Sequence, residues 1–242
     1  MSDSGEVRRR RRPAYRSGRP TLTKEGIARA ALDLLGDKGP AELTMRALAQ
    51  RLGVSPRALY NYVTDRAHLL ELIISLSQAA RPEPRLDPAR PEESLRGYCR
   101  RLRAWYRAHP GLLALARAED LTAFASADLL RADDALVAFF LEIGLSPRDA
   151  YRAWAVTVLQ VAGFAEVWDA WHDRPPPGAD PATWGGLPPA APAELPHLTE
   201  AEAAGDAAAL APDALFETVL DLLVAGIEAM RRTKETDHVL GG

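Results

Sequence analysis

The chain has 242 residues, 47% hydrophobic and 26% charged, with a formal net charge of −3 and one cysteine, Cys99. A single cysteine excludes an intrachain disulfide and the CxxC spacings of thiolate metal or redox sites, and it fits a reducing cytoplasm. The longest uncharged apolar run, 153–165, is about 13 residues, short of the roughly 20 that span a bilayer. The charged start lacks the apolar core of a secretory signal, so a cytoplasmic protein with no membrane partner is expected.

Charge is uneven along the chain: residues 1–80 carry 14 Lys and Arg against 8 Asp and Glu, and residues 81–242 carry 16 against 25. A basic third on an acidic remainder suits one end that meets phosphates and another that repels them. β-Branched residues are sparse and alanine and leucine dominate, so the expected fold class is all-α.

Residues 1–20 hold Arg8, Arg9, Arg10, Arg11 and Arg12 in one run, then Arg16 and Arg19, without periodicity. Adjacent like charges repel unless a polyanion is present, so this arm is expected to be disordered alone. Such arms follow a DNA backbone or enter its minor groove; the plainer reading is a solubilising leader. Thr23 then caps a helix over 24–37, whose stripe is Ile27, Ala31, Leu34 and Leu35, and Gly39-Pro40 stops it.

The stretch 43–63, LTMRALAQRLGVSPRALYNYV, reads as two short helices about a tight turn. Thr44 opens the first, which buries Leu48, Ala49 and Leu52. Gly53 makes the turn, because glycine enters the left-handed region freely, and Val54 is a buried wedge. Ser55-Pro56 opens the second helix: serine caps free N–H groups, and proline at the first position loses no bond. Ala58, Leu59 and Val63 face inward, while Arg57, Tyr60, Asn61 and Tyr62 point largely outward. This is a helix-turn-helix, whose second helix enters the DNA major groove with its N-terminal residues at the base edges. Any small helical domain can hold such a turn, but the flanking helices and the basic arm favour a DNA reader.

A helix over 65–80 follows, with Leu69, Ile73 and Leu76 widened by Leu70 and Ile74, broad enough for two neighbours. Three prolines within 81–88 end it and mark a boundary. Residues 21–81 are thus expected to form the helix-turn-helix domain (motif 44–63) and 91–234 a larger helical domain. Leu95, Cys99, Leu102 and Tyr106 line the next helix as far as His109-Pro110-Gly111. A short piece over 112–118 follows, then a helix over 127–143 ended by Gly144, then Ser146-Pro147, which launches a helix over 147–171.

That last helix has no charge from Trp154 to Phe164, and a C-terminal helix over 213–232 is similarly apolar on its face and flanks. A helix apolar all round must be buried all round. The pair is therefore expected to meet its symmetry mate as a four-helix bundle in a homodimer, through Val158, Ala162, Phe216, Leu220, Leu223 and Ile227. The competing reading is a pair of helices central to a monomer core. Between them, 172–198 is proline-rich, with Gly178, Gly185 and Gly186, and is expected to be a mobile loop. Thr199 to Glu202 reads as a capping box opening a short helix.

Residues 21–73, with both turn glycines (Gly39 and Gly53) and the LYNYV tail, resemble the DNA-binding domain of the tetracycline-repressor (TetR) family. The remaining two-thirds resembles that family's ligand-binding half more loosely. The resemblance implies the same dimer through the same two helices. It also implies a small-molecule effector that rocks the connecting helix and spreads the two readers.

On the DNA side, Arg46 can take guanine O6 and N7 as a bidentate pair, and the resemblance supports an approach to bases. Arg57 and Ala58 sit on the reading helix's first turn, where arginine reads guanine and a methyl meets a thymine methyl. Asn61 reads a base or binds the backbone. Thr44, Ser55 and Arg66 are candidate phosphate partners; Arg66 stands where the family commonly has lysine. Tyr60 and Tyr62 match positions the family uses for phosphates and packing, and half-buried packing residues are an equal reading of both. Met45 departs from the Ser or Thr frequent at its position.

On the effector side, Trp105, His109, Phe124, Trp154, Gln160, Phe164 and Trp168 are candidates, on the ground that a ligand pocket is apolar with a few orienting polar groups. Most such aromatics are ordinary core. The resemblance places His109 at an effector-binding position of the family. Five scattered histidines (His68, His109, His172, His197, His238) give no metal-ligand spacing, and no cofactor is expected.

The expected function is a homodimeric, ligand-responsive regulator, a repressor of a palindromic double-stranded operator, released by a hydrophobic or aromatic effector. Its recognition helices would lie about 34–36 Å apart. A constitutive repressor or silencer without effector is the alternative. A helical enzyme is remote, because G-x-S-x-G, H-E-x-x-H and P-loop patterns are all missing.

Overall fold

A computed structural model describes residues 15–16, 19–20, 22–119, 127–179, 195–204 and 210–240. Among these the fold is helical apart from a two-residue antiparallel pair, Tyr15–Arg16 with Arg19–Pro20. Arg16 and Arg19 of the arm are opposite each other in that pair's register. Arg8 to Arg12 lie outside the described residues.

α1 (Lys24–Lys38) starts at Thr23, whose hydroxyl accepts the Gly26 N–H at 3.0 Å, and ends at Gly39, where φ is 79°. A 3-10 turn (Pro40–Glu42) leads to α2 (Met45–Arg51), α3 (Pro56–Tyr60) and α4 (Arg66–Ala79). Ile27, Ala31, Leu35, Leu48, Leu59, Val63, Leu69 and Ile73 fill one core. Leu52, Val54 and Ala58, expected inside, are only half-buried. The helices of the motif are so short that their ends reach the rim of this core.

The second core is built by α5 (Pro91–Ala108), α7 (Ala127–Glu142), α8 (Pro147–Phe164) and α11 (Pro212–Leu240), around Tyr98, Leu102, Phe140, Val161, Phe216 and Leu220. Cys99 is buried here, and burial pushes its thiol up to about 12, so it stays protonated and inert. α6 (Leu112–Ala118) crosses between the cores: its Leu115 is buried in the core of α1–α4. Among the described residues no helix is long and apolar enough to cross a membrane.

The long helix expected over 147–171 is not uniform. α8 passes through a π-helical turn (Ala165–Asp169) into α9 (Ala170–Asp173). The wider turn adds a residue and re-phases the helix, and Asp169 faces α5. There Arg103 donates from Nε and Nη2 to the two Asp169 oxygens at 2.8 and 2.6 Å, and both side chains are buried. The same guanidinium lies over the rings of Phe164 and Phe216 at 5.0 and 4.5 Å. One fork thereby joins α5, α8 and α11.

α10 spans Pro196–Ala204, so Thr199 sits inside it and its hydroxyl donates to the Leu195 carbonyl at 2.9 Å. The expected capping box is not formed, because Pro196 begins the helix a turn earlier and Thr199 back-bonds. Most of the expected loop, 180–194, lies outside the described residues.

The dimer candidates need correction. Phe216, Leu220, Leu223, Ile227 and Ala162 are buried within one chain, and Val158 is half-buried against the same core. Apolar side chains left open include Val156 and Leu159 on α8, Val167 in the π-helical turn, and Leu222 on α11, the last with 71% exposure. Periodicity finds both faces of such helices but ranks first the stripe with the bulkiest residues, and that stripe serves the chain's own core.

The Arg103–Asp169 pair yields a stability prediction. In urea unfolding, Asp169→Asn is expected to cost about 3 kcal/mol, since it removes the buried carboxylate and leaves the buried guanidinium only the exposed Asp213 at 3.0 Å. Glu217→Gln, which breaks the exposed bond to Arg100 at 2.6 Å, should cost under about 1 kcal/mol.

Candidate DNA interface and effector site

The motif is set by three side-chain caps. Thr44 Oγ1 accepts the Ala47 N–H at 3.1 Å, Ser55 Oγ accepts the Ala58 N–H at 3.2 Å, and Asp65 Oδ1 accepts the His68 N–H at 2.8 Å. Gly53 supplies the turn at φ 65°. A hydroxyl that accepts still has its own proton to donate, so the capping role leaves Thr44 and Ser55 able to reach a phosphate. Both are exposed, as are Arg46, Arg57, Asn61 and Tyr60, while Ala58 and Tyr62 are half-buried. Arg46 and Arg57 form no ion pair among the described residues, so their guanidinium groups are available to an anion or a base edge.

Arg66 is placed differently. It donates from Nε and Nη2 to Glu119 at 3.1 and 2.6 Å and from Nη1 to the Leu43 carbonyl. The expected phosphate partner is engaged inside the molecule.

α4 is held to the second domain at its other end as well. Trp105 Nε1 donates to the Ser77 carbonyl at 2.8 Å, and Arg81 Nη2 donates to Asp133 at 3.3 Å. The Arg81 guanidinium lies 5.8 Å from the Trp105 ring centre. Beside it, the Tyr98 hydroxyl and Arg81 Nε are buried without a well-formed hydrogen bond, although the Arg81 guanidinium lies close enough to act on the phenol. Burial raises the Tyr98 phenol above its ordinary value, against the pull of the Arg81 charge. Two under-bonded polar atoms beside Trp105 and Tyr106 could orient a polar, ring-bearing ligand. Sequence reading missed Tyr98, Arg81 and Asp133: Tyr98 reads as core, and Arg81 as helix punctuation.

Of the sequence candidates, Trp105 and His109 come together, ring centres 5.1 Å apart. His109 is buried, and its Nδ1 lies 2.7 Å from the Trp105 carbonyl, which can only accept; Nδ1 therefore carries the proton and Nε2 is an acceptor. Burial lowers the His109 pKa below 6.5, so the ring is neutral. His109 also lines a cavity of about 230 Å³ between the domains, with Leu35, Gly36, Tyr106, Arg107 and Glu166. The other candidates scatter. Phe164 stacks edge-on against Phe216 at 5.1 Å, and Trp168 Nε1 donates to the Leu210 carbonyl at 3.2 Å. Trp154 pairs with Tyr151, Gln160 is exposed on the outer side of α8, and Phe124 is outside the described residues.

A capped helix-turn-helix head on a larger all-helical domain defines a DNA-binding transcription regulator. Residues 27–73 match the model of the bacterial regulatory proteins of the tetR family, and residues 84–231 that of the tetracyclin repressor-like C-terminal domain. The chain belongs to the TetR family of transcriptional repressors, and its second domain is that family's ligand-binding domain. It is 30% identical to the class C tetracycline repressor protein of Escherichia coli over 223 residues, 90% of this chain and 96% of that one. A possible TetR family transcriptional regulator from Streptomyces coelicolor superposes with a TM-score of 0.62 at 29% identity, over 86% of this chain and 100% of that one. Streptomyces coelicolor ActR, solved in complex with actinorhodin, gives 0.59 at 26% identity, over 86% and 96%.

Ser55 separates capping from DNA contact. Ser55→Asp keeps an N-cap acceptor, so thermal unfolding should shift little. If the position meets a phosphate, the added charge repels it, and operator affinity in a gel shift should fall by roughly tenfold or more.

Proposed function

We propose that the chain works as a homodimeric repressor of a near-palindromic operator and is released by a hydrophobic, ring-bearing small molecule. The observation that carries the DNA half is the row of exposed polar groups on the capped motif: Arg46, Arg57 and Asn61 for bases, Thr44, Ser55 and Tyr60 for phosphates, with Ala58 and Tyr62 packed beneath. The basic arm, Arg8 to Arg12 with Arg16 and Arg19, adds backbone attraction.

The dimer half rests on the open apolar stripe. Leu159 and Leu222 are exposed by 70% and 71%, large apolar side chains on the two helices that a partner surface would cover. A second copy, turned by a two-fold axis, covers it with the same residues. Gly163 and Gly226 have nothing within 4 Å of an added Cβ in one chain, so the partner's helices can approach closely there.

The effector half rests on Tyr98, Arg81 and Asp133 beside Trp105, with His109 below them. The relative ActR takes actinorhodin, and a ring-bearing ligand suits the aromatic walls here. A ligand that bonds the Tyr98 hydroxyl and Arg81 Nε acts on the segment where α4 ends. It shifts the population of head positions only as far as it binds one better than the other.

Fluorescence anisotropy with a palindrome from the chain's own promoter tests the DNA reading. Arg46→Ala and Arg57→Ala should each lose about 1–3 kcal/mol, tenfold or more at the upper end, while keeping the fold. Affinity equal to wild type in both would sink it. Leu159→Arg should convert a dimer to a monomer in light scattering and weaken operator binding with it; a dimer that persists removes the stripe from the interface.

A further inference from the structure

One charged contact between the domains bears directly on the operator surface. Arg66 opens α4, next to the motif, and through Nη1 it holds the carbonyl of Leu43, the residue before the Thr44 cap of α2. Its guanidinium therefore sits beside the start of α2. The anion found there is Glu119, at 2.6 Å, which comes from the other domain at the end of α6.

We propose that Glu119 is an intramolecular competitor of operator phosphate for Arg66. The proposal rests on the operator reading given above and adds to it a residue that no DNA contact would reveal. The geometry favours competition over simple bracing on three counts. Three of the five guanidinium N–H groups are already directed at protein oxygens, two of them at one Glu119 oxygen, which leaves no free edge for the side-on fork that phosphate prefers. The carboxylate cancels the arginine's charge and repels a phosphate brought within a few ångströms. Finally, the pair is weakly committed: Arg66 and Glu119 are 43% and 31% exposed, so water and salt loosen it and a phosphate can displace it.

The consequence is regulatory. Glu119 stands one turn after Leu115, at the end of α6 where the two domains meet, so a change in that end's position relative to α4 makes or breaks this pair. Each break frees one cation for the operator, and by reciprocity operator binding favours the state in which the pair is open.

The test is a salt titration of operator affinity for the full chain, with wild type, Glu119→Gln, Arg66→Gln and the double variant. Competition predicts that Glu119→Gln binds on the order of threefold tighter at low salt, with a log–log salt slope steeper by about 0.9 per head. With Arg66→Gln already in place, Glu119→Gln should add nothing, whereas a general loss of negative charge would still tighten binding. Unchanged or weaker binding by Glu119→Gln, or a gain that persists without Arg66, overturns the proposal. If the wild type binds no operator at all, the DNA reading falls and takes this one with it. If it binds and the slopes do not move, only the competition is lost.

Discussion

The contact on which the architecture turns is the corner Pro110-Gly111 pressed against the end of α1. Gly111 has φ 74°, and a Cβ there would lie 2.8 Å from the Leu35 backbone carbon. A Cβ on Gly36 would lie 2.6 Å from the Pro110 side chain. Two glycines from different domains thus let the segments approach more closely than any Cβ at either position would allow. The corner also launches α6, and α6 completes the head core with Leu115. The DNA-reading head is therefore not a self-sufficient bead on a linker: part of its hydrophobic filling belongs to the domain that binds ligand.

That shared core gives the regulation its mechanical form. α4 is held near its end by the Trp105 indole and by Arg81 with Asp133, and near its start by Arg66 with Glu119. On the proposed reading, a ligand beside Tyr98 would touch the first group of contacts directly. It reaches the second through α5 and the corner, because close-packed interiors move as units rather than deforming smoothly. The cavity beside His109 lies along the same seam, so the space available for relative movement is where the two domains already meet.

How much could be read from sequence divides along the range of the interaction. The caps of Thr23, Thr44, Ser55 and Ser146, the turn glycines and the order of helices are local, decided within four residues, and they were legible. Arg103 and Asp169 are 66 positions apart, and Arg66 and Glu119 are 53 apart; no periodicity connects either pair. Helical spacing showed that α8 and α11 are apolar on more than one face. It could not say which face the chain keeps for itself, and Phe216 and Leu220 went to the core while Leu159 and Leu222 stayed open. Gln160 was misread for the same reason: it lies on the outer side of the helix whose inner side is Val161 and Thr157. Thr199 shows a local rule outcompeted by another local rule, since proline at the first helical position set the start before the threonine could cap.

The fixed ionic groups of this protein therefore fall into two kinds that do opposite things. Arg103 and Asp169 are both almost wholly buried, with a rigid fork and two aromatic faces on the cation, so separating them exposes a charge to low dielectric. This pair fixes α5, α8 and α11 as one body and cannot serve as a switch. Arg66 and Glu119 sit in water at the seam between bodies, where the exchange of one anion for another costs little. A molecule that must hold a ligand site still while its DNA-reading head changes position needs both kinds, and needs each where it is found: the buried pair within the effector domain and the exposed pair across the boundary.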